Sequence, residues 1–520
     1  MIQKFFKSKR SILGVELNDW LLVAVAVSVF VAITFWTITK SSIWFDEGFG
    51  AYMIKYNFWD IAKYTANDVH PPMYYWLLKI WSMLFGNTEL ALRSMSTFFG
   101  GIAIVFGYLL SNKLFGKVAA RFSLIFLALS PMLVRYGQEA RMYTLVTSIT
   151  IAATYVLTIA VNSKKKLPWI IYGILVGLGM WVHYFTAIIW IAHWIWRADN
   201  VRRVARSGEF LRKFFSKDWV MAHVIAVALY VPWLPFFFWQ TFSVTVLGFW
   251  IPAVNSTTPI GFLTEFIYYK NPGETAGWQA LALWAAVIFF GVLAYKVYKK
   301  LDKATKQSYR LIFTLAFLPM IILFVISTPP FRALYIDRYL ITSAIGLAVF
   351  FGVTIALSRD FIKKEWRIAS VVIMAVLFVT GIGNVWNLGN WNKNSGDTNQ
   401  TREIVQIATE KSNGKQPIIA ATPWLFYEAT FYSTDDHPVY FLNPSSYQIG
   451  SLAMLKDSDE HKIKDIAAFS KANPTVWLVG YIRRGGLTSP SKDWHEIQKI
   501  TIKDPFSGNP EYQAIQYRTN

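Results

Sequence analysis

A chain of 520 residues with 54% hydrophobic content, 23 tryptophans and a mean hydropathy of +0.34 is too apolar for a string of soluble domains and reads as a polytopic membrane protein. The absence of cysteine excludes disulfides, thiolate metal sites and a cysteine nucleophile. The formal charge of +20 does not point to nucleic acid: residues 390–520 hold 14 basic and 14 acidic residues, so the excess lies in short loops between apolar runs, the positive-inside pattern.

Lys4, Lys7, Lys9 and Arg10 precede the first apolar run, 20–38. That run is long enough to cross a hydrocarbon core of roughly 30 Å and lacks a small-residue cleavage pattern, which predicts a retained anchor with residues 1–19 in the cytoplasm. A first external loop, 39–93, follows, and within it MYYWLLKIWSMLFG at 73–86 reads as an interfacial helix. Further spans are expected near 94–110, 119–134, 143–161, 167–182, 184–196, 219–239, 278–298, 311–326, 339–357 and 368–386, giving about eleven crossings. Basic turns at Lys113, Lys117 and Arg121, at Lys164, Lys165 and Lys166, from Arg202 to Lys213, at Lys299 and Lys300, and at Lys363 and Lys364 mark the cytoplasmic side. The odd count places everything after residue 387 outside the cell membrane.

The expected fold class is therefore mostly α: a transmembrane helical bundle over 20–389 with external interfacial helices, followed by an external α/β domain over 390–520. In that last part the short apolar runs PIIAAT, VYFLN and TVWLVGYI alternate with the helical patterns TREIVQIATEK and HKIKDIAAFSKAN. Gly485 and Gly486, after Arg483 and Arg484, read as a turn rather than a phosphate loop.

Four polar groups fall on the external side. Asp46 and Glu47 follow the first span directly; a charged pair there is either a solvated membrane boundary or a site, and its company favours the site. Asp68, His70 and Arg93 return to the same face within an aromatic loop, where a partly desolvated carboxylate can act as general base. Asp68 and His70 can hold a divalent cation or a phosphate oxygen, although two ligands do not make a metal site and the sequence requires no cofactor. Pro71 and Pro72 fix the start of the next helix. The segment RYGQEARMY packs Arg135, Gln138, Glu139, Arg141 and Tyr143 together, and a continuous helical register would set Gln138 beside Arg141 and Glu139 beside Tyr143. His183 and Tyr184 occupy a short turn. Arg332, Asp337, Arg338 and Tyr339 stand at the mouth of the tenth span, where arginine's planar fork suits an anion. Carboxylates, arginines and aromatic surface on one face suit a phosphorylated lipid whose tail stays in the bilayer.

The acidic pair, HPPMYYW, the RSMS after LFGNTELAL, QEARMY, HYF and DRYL, in this order over roughly residues 20–390, resemble the GT-C superfamily of integral-membrane glycosyltransferases. The likeness is to the bacterial branch related to protein O-mannosyltransferases and the lipid A aminoarabinose transferase. The resemblance implies inverting transfer of a hexose or mannose-like sugar from a polyprenyl-phosphate carrier to a lipid, glycan or protein acceptor. It makes Asp46 the catalytic base with Glu47 tuning it, and gives the donor phosphate to Arg338 and Arg332 with help from Arg141 or Arg93. Asp68, His70, Gln138, Glu139, Tyr143, His183, Tyr184 and Tyr339 would line the substrate cavity. Two rivals are a lipid-linked-sugar flippase or transporter and a polysaccharide polymerase or ligase. A transporter calls for midplane polar sites and inverted repeats, and a polymerase for a large late external loop; this chain gathers its polar residues at one face and invests in its first loop.

Overall fold

The computed structural model describes residues 11–12, 15–206, 208–247, 251–387, 399–442, 450–451, 455, 460–482, 486–504 and 509–519. The basic residues Lys4, Lys7, Lys9 and Arg10, and the Arg483, Arg484 and Gly485 of the expected turn, lie outside them. The described residues are mostly helical, at 68%, and the chain folds as two compact units. One comprises 1–36, 94–235 and 247–386; the other comprises 37–93, 236–246 and 387–520.

Among the described residues eight helices are long and apolar enough to cross a membrane: Leu17–Phe35, Glu89–Phe115, Tyr143–Ala160, Lys217–Val244, Gly277–Lys300, Lys303–Val325, Asp337–Asp360 and Lys364–Asn387. A ninth is formed if Lys117–Ala128 and Pro131–Gly137, bent by 54°, count as one span. The full count of eleven is not met by length and composition. Two expected spans fall short for visible reasons: Leu167–Val182 has only 16 residues, and the second half of Thr186–Val204 carries Arg197, Asp199, Arg202 and Arg203. The expected straight span at 119–134 is also corrected. Ser130 takes an extended conformation, its hydroxyl accepts from the Leu133 amide at 3.4 Å, and Pro131 at the first helical position starts a new helix.

Within the first unit the Asp337–Asp360 span is 94% buried, whereas Leu17–Phe35 and Gly277–Lys300 are 22% buried. The former is the bundle's centre; the latter two keep apolar side chains such as Leu21, Val25, Leu281 and Ile288 on the outside, as a lipid-facing helix does. Close approach at the centre needs glycine. A Cβ on Gly352 would stand 2.3 Å from the Ser123 amide nitrogen, and one on Gly346 would stand 2.8 Å from that of Ala316.

The second unit is built on a six-stranded mixed sheet: β1 (Ile418–Ala420), β2 (Val439–Leu442), β3 (Lys462–Ile463), β4 (Thr475–Tyr481), β5 (His495–Lys503) and β6 (Pro510–Arg518), in the order β3-β2-β1-β4-β6-β5. The first four run parallel and the β5-β6 hairpin adds antiparallel to β4. Ile419, Val476, Leu478, Trp494, Ile515 and Tyr517 form a core on one side. The expected HKIKDIAAFSKAN helix is in fact a strand followed by the Ile466–Ala472 helix, divided where the Asp465 carboxylate accepts from the amides of Ala467 and Ala468.

The Phe45–Met53 helix packs on the Pro423–Tyr432 helix of the same unit. Phe45 meets Trp424 with ring centroids 4.8 Å apart, and Phe49 meets Tyr427 at 5.5 Å. Gly48 lets the backbones touch, because a Cβ there would lie 3.0 Å from the Glu428 nitrogen. Gly48→Val is expected to cost about 1–3 kcal/mol through overpacking and to lower the thermal midpoint, with Gly48→Ala in between. An unchanged midpoint for the valine variant would show that the two helices have room to part.

Candidate active site

Glu47 lies in the first turn of the Phe45–Met53 helix, and its Oε2 accepts from the Trp44 amide at 3.3 Å. Arg93 grips the same carboxylate with both edges of its fork, Nε to Oε1 at 2.8 Å and Nη2 to Oε2 at 2.7 Å. Its remaining N–H groups donate to the carbonyls of Ile38, Ser41 and Ser42 at 2.7, 2.8 and 3.1 Å. Both side chains are 1% exposed. Arg93, expected at the donor phosphate, is thus fully spent inside its own unit, bolting the segment after the first span to the acidic helix. Asp46, one residue earlier and half-buried, stands on the first turn of a helix that cannot swing.

Asp68 and His70 remain a pair, His70 Nδ1 to Asp68 Oδ2 at 3.3 Å, and the Ser451 hydroxyl donates to the other carboxylate oxygen at 3.3 Å. Among the described residues no cluster of three His, Cys, Asp or Glu side chains is formed. Pro72 caps the Met73–Phe85 helix, which buries Tyr74, Tyr75 and Leu78 and exposes Met83, Leu84 and Phe85.

In the other unit the helical register expected for Gln138 to Tyr143 is broken. The Pro131–Gly137 helix ends at Gly137 and a new one starts at Tyr143, so Glu139 turns back toward Arg135, with oxygen and nitrogen 3.8 Å apart. Ser96 and Thr97 of the RSMS element donate to the carbonyls of Arg141 and Gly137 at 3.2 and 2.7 Å, and the Gln138 amide donates to the Thr34 carbonyl at 2.8 Å. The turn is clamped, with Arg141 buried beneath it. Tyr143, His183, Arg338 and Tyr339 converge on one small cavity together with Phe185 and Thr342. The Arg338 guanidinium lies 6.0 Å from the Tyr143 ring centre, and the Tyr339 ring is 5.0 Å from His183 and 4.7 Å from Phe185. Tyr184 points elsewhere, its hydroxyl accepting from the Trp233 indole at 2.9 Å. Arg332 is exposed in the segment that leads to Arg338.

Three groups were not foreseen. Tyr269 takes a left-handed backbone with φ +52°, uncommon for any residue with a side chain, and its ring lies 6.3 Å from that of Tyr136. Burial pushes its phenol above the ordinary range, with Arg135 beside it pulling the other way. Glu265 is 1% exposed on the helix just before it. Glu428, in the second unit, accepts from the hydroxyl of Thr401 at 2.7 Å, the amide of Asn399 at 3.3 Å and the phenol of Tyr481 at 3.3 Å. An acid inside an otherwise apolar aromatic run, FLTEFIYY or PWLFYEATFY, is the signal that would have found the two glutamates.

Residues 69–239 match the family described as dolichyl-phosphate-mannose-protein mannosyltransferase. Over 172 residues the chain is 27% identical to the undecaprenyl phosphate-alpha-4-amino-4-deoxy-L-arabinose arabinosyl transferase of Pseudomonas savastanoi pv. phaseolicola, a match that spans 31% of this chain and about 30% of that relative's length. The structure of ArnT from Cupriavidus metallidurans bound to undecaprenyl phosphate superposes with a TM-score of 0.64 and 13% identity over 96% of this chain and 98% of that one. The Archaeoglobus fulgidus oligosaccharyltransferase AglB superposes with a TM-score of 0.51 and 14% identity over 89% and 69%. The fold is that of a GT-C membrane protein. The chain thus shares the fold of ArnT and, over residues 69–239, resembles the protein mannosyltransferase family.

Burial pushes the Glu428 carboxyl up to about 8 from an ordinary 4.5, against the pull of its three hydrogen-bond donors. Between those values the folded chain holds one proton more than the unfolded chain, so this group's contribution to stability falls as pH rises through the window and is fully present below it. Glu428→Gln keeps the donors satisfied and cannot ionise; the thermal midpoint of the variant is expected to depend less on pH between about 4.5 and about 8 than that of the parent chain. Identical pH slopes would mean that the buried carboxyl does not hold its proton.

Proposed function

We propose that this chain is an inverting glycosyltransferase that moves a sugar, hexose or mannose-like, from a polyprenyl-phosphate carrier to an acceptor hydroxyl at the external face of the cell membrane. The observation that carries the reading is the half-buried Asp46 on a helix turn locked by the Glu47–Arg93 pair, in a chain with the fold of an enzyme solved with undecaprenyl phosphate. Asp46 takes the proton from the acceptor hydroxyl as its oxygen attacks the anomeric carbon. The bond from that carbon to the phosphate oxygen breaks, and the carrier phosphate leaves with the electron pair. Arg338 holds the phosphate, with Arg141 and Arg332 contributing positive charge to the developing dianion. Tyr143, His183 and Tyr339 line the sugar side of the arginine, Asp68 and His70 bind the acceptor, and Glu47 and Arg93 set the position of the base.

Topology belongs to the same proposal. Adding Leu167–Val182 and Thr186–Val204 to the nine apolar spans gives eleven crossings, which puts the second unit's sheet outside when the N-terminus is inside. Because the chain has no cysteine, a single cysteine introduced at exposed Thr434 reports its side cleanly. Labelling by a membrane-impermeant maleimide in intact cells is the expected outcome, and labelling only after lysis would reverse the topology.

The chemical assignment is tested with a polyprenyl-phosphate-linked sugar and purified protein. Asp46→Asn is expected to lower kcat by about 10²–10⁴ with the fold retained, the range for loss of a general base. Arg338→Ala is expected to raise the donor KM by about tenfold to a hundredfold, the scale of a lost charge-assisted hydrogen bond. Near-parental turnover of the asparagine variant removes Asp46 from the chemistry, and an unchanged donor KM moves the phosphate away from Arg338.

A further inference from the structure

At the basic end of the bundle the helices Gly277–Lys300, Lys303–Val325 and Ile341–Leu357 enclose a groove of about 520 Å³, within the roughly 300–1,000 Å³ of ordinary ligand sites. Its wall is aromatic and apolar. Phe350 is the hub, with ring centroids 5.9 Å from Phe313, 5.7 Å from Phe317 and 5.3 Å from Tyr309, while Phe290 lies tilted against Phe351 at 4.4 Å. Gly291 lies on the same wall, exposed, and a Cβ there would meet nothing within 4 Å, so the groove is open sideways at the level of a lipid chain. No residue assigned to sugar transfer lines it.

The rim is cationic. Lys296, Lys299, Lys300, Lys303 and Lys306 follow one another across the turn between the first two helices. The Lys299 ammonium sits 4.6 Å over the Tyr295 ring and that of Lys306 sits 5.5 Å over Tyr298; both rings line the groove. The acids nearby are already engaged. Asp302 caps the second helix by accepting from the amides of Ala304 and Thr305, and Asp199 takes two bonds from Arg310, at 2.6 and 3.1 Å. Arg310 also donates to the Tyr298 hydroxyl at 2.8 Å, so the groove's polar end is fixed and the lysines supply the uncompensated charge.

We infer that this groove is a binding site for an anionic glycerophospholipid of the cytoplasmic leaflet, one acyl chain lying along Phe290, Gly291, Phe313 and Phe350 and the headgroup phosphate among Lys299, Lys306 and Lys303. An apolar channel that runs to a cluster of ammonium groups matches both ends of such a lipid: the hydrocarbon leaves the rest of the bilayer for aromatic contacts, and the phosphate meets several ammonium groups at once. A zwitterionic lipid of the same chain length would gain the first contact and little of the second.

The test uses the full-length protein in detergent, titrated with phosphatidylglycerol or phosphatidylcholine of identical acyl chains and read by native mass spectrometry. Phosphatidylglycerol is expected to bind about tenfold more tightly. Gly291→Trp, which fills the groove, is expected to weaken both lipids about tenfold. Lys299→Gln combined with Lys306→Gln is expected to bring phosphatidylglycerol down to the phosphatidylcholine value and leave the latter unchanged. Lys299 is exposed and Lys306 half-buried with its ammonium over the Tyr298 ring, so the pair decides the matter even where the tryptophan disturbs folding. Equal binding of the two lipids overturns the proposal, as does a lysine pair that keeps the preference. Loss of a dimer peak in Gly291→Trp would assign the groove to a second copy of the chain, and displacement of phosphatidylglycerol by undecaprenyl phosphate at equal concentration would assign it to a carrier tail. Lipid retention is read without any sugar transfer, so it stands or falls apart from the transferase reading.

Discussion

The buried pair of Glu47 and Arg93 is the constraint on which the acidic helix depends. An ion pair taken wholly out of water loses hydration worth several kcal/mol per ion, and it is tolerable only when every lone pair and every N–H is matched. Here the match is complete on the arginine side: two bonds to the carboxylate and three to backbone carbonyls that have no helix or strand to satisfy them. The result is geometric as much as energetic. The carbonyls at Ile38, Ser41 and Ser42 are held by the same atom group that holds Glu47, so the exit of the first span and the first turn of the Phe45–Met53 helix are one rigid piece. Asp46, on the same first turn, takes its position from this piece, which is the placement that the base role proposed for it requires.

The same unit repeats the device beside this pair with a different chemistry. Glu89 takes a bond from Arg402 at 2.7 Å and from the Tyr432 hydroxyl, and that hydroxyl in turn accepts from the Ile43 amide at 2.6 Å. The Ser42 hydroxyl donates to Glu403 at 3.2 Å. Thus the loop over 37–43 is tied to the Thr401–Glu410 and Pro423–Tyr432 helices, which follow it by more than 350 residues in sequence. Glu428 completes the set without a cation. Its neighbours Thr401, Asn399 and Tyr481 are neutral donors, and a carboxyl in such company holds its proton more readily than one facing arginine. Three buried glutamates are therefore kept by three means: a full bidentate partner, a shared partner, and a retained proton.

These pairings explain how much of the molecule could be read from its sequence. Hydropathy and the basic turns located the apolar spans because each of those signals is local. The bend at residues 128–131 was equally local, carried by Ser130 and Pro131, and was missed only because the apolar run continues across it. The β5-β6 hairpin was harder to read: HEIQKITIK alternates only over its second half, and PEYQAIQYR is buried on both faces with Ala514 and Ile515 adjacent, so neither carries a clean period of two. What could not be read is the partner of each charge. Glu47 and Arg93 lie 46 residues apart and Arg402 and Glu89 lie 313 apart, and nothing in the local pattern distinguishes a structural arginine from one that holds a phosphate. Arg93 and Arg338 look alike as external arginines; their surroundings separate them, backbone carbonyls and the Glu47 carboxylate around one, the Asp337 carboxyl and the Tyr143 ring beside the other.

That difference bears on which arginine is chemically available. A guanidinium whose five donors all end on carbonyl and carboxylate oxygens has nothing left for a ligand, and withdrawing any one bond would leave a buried acceptor unmatched. Arg338 instead lies over the Tyr143 face and beside Asp337, at a small cavity lined also by His183 and Tyr339. The clamped turn that leads into Tyr143, fixed by Ser96, Thr97 and Gln138, holds one wall of that cavity in place.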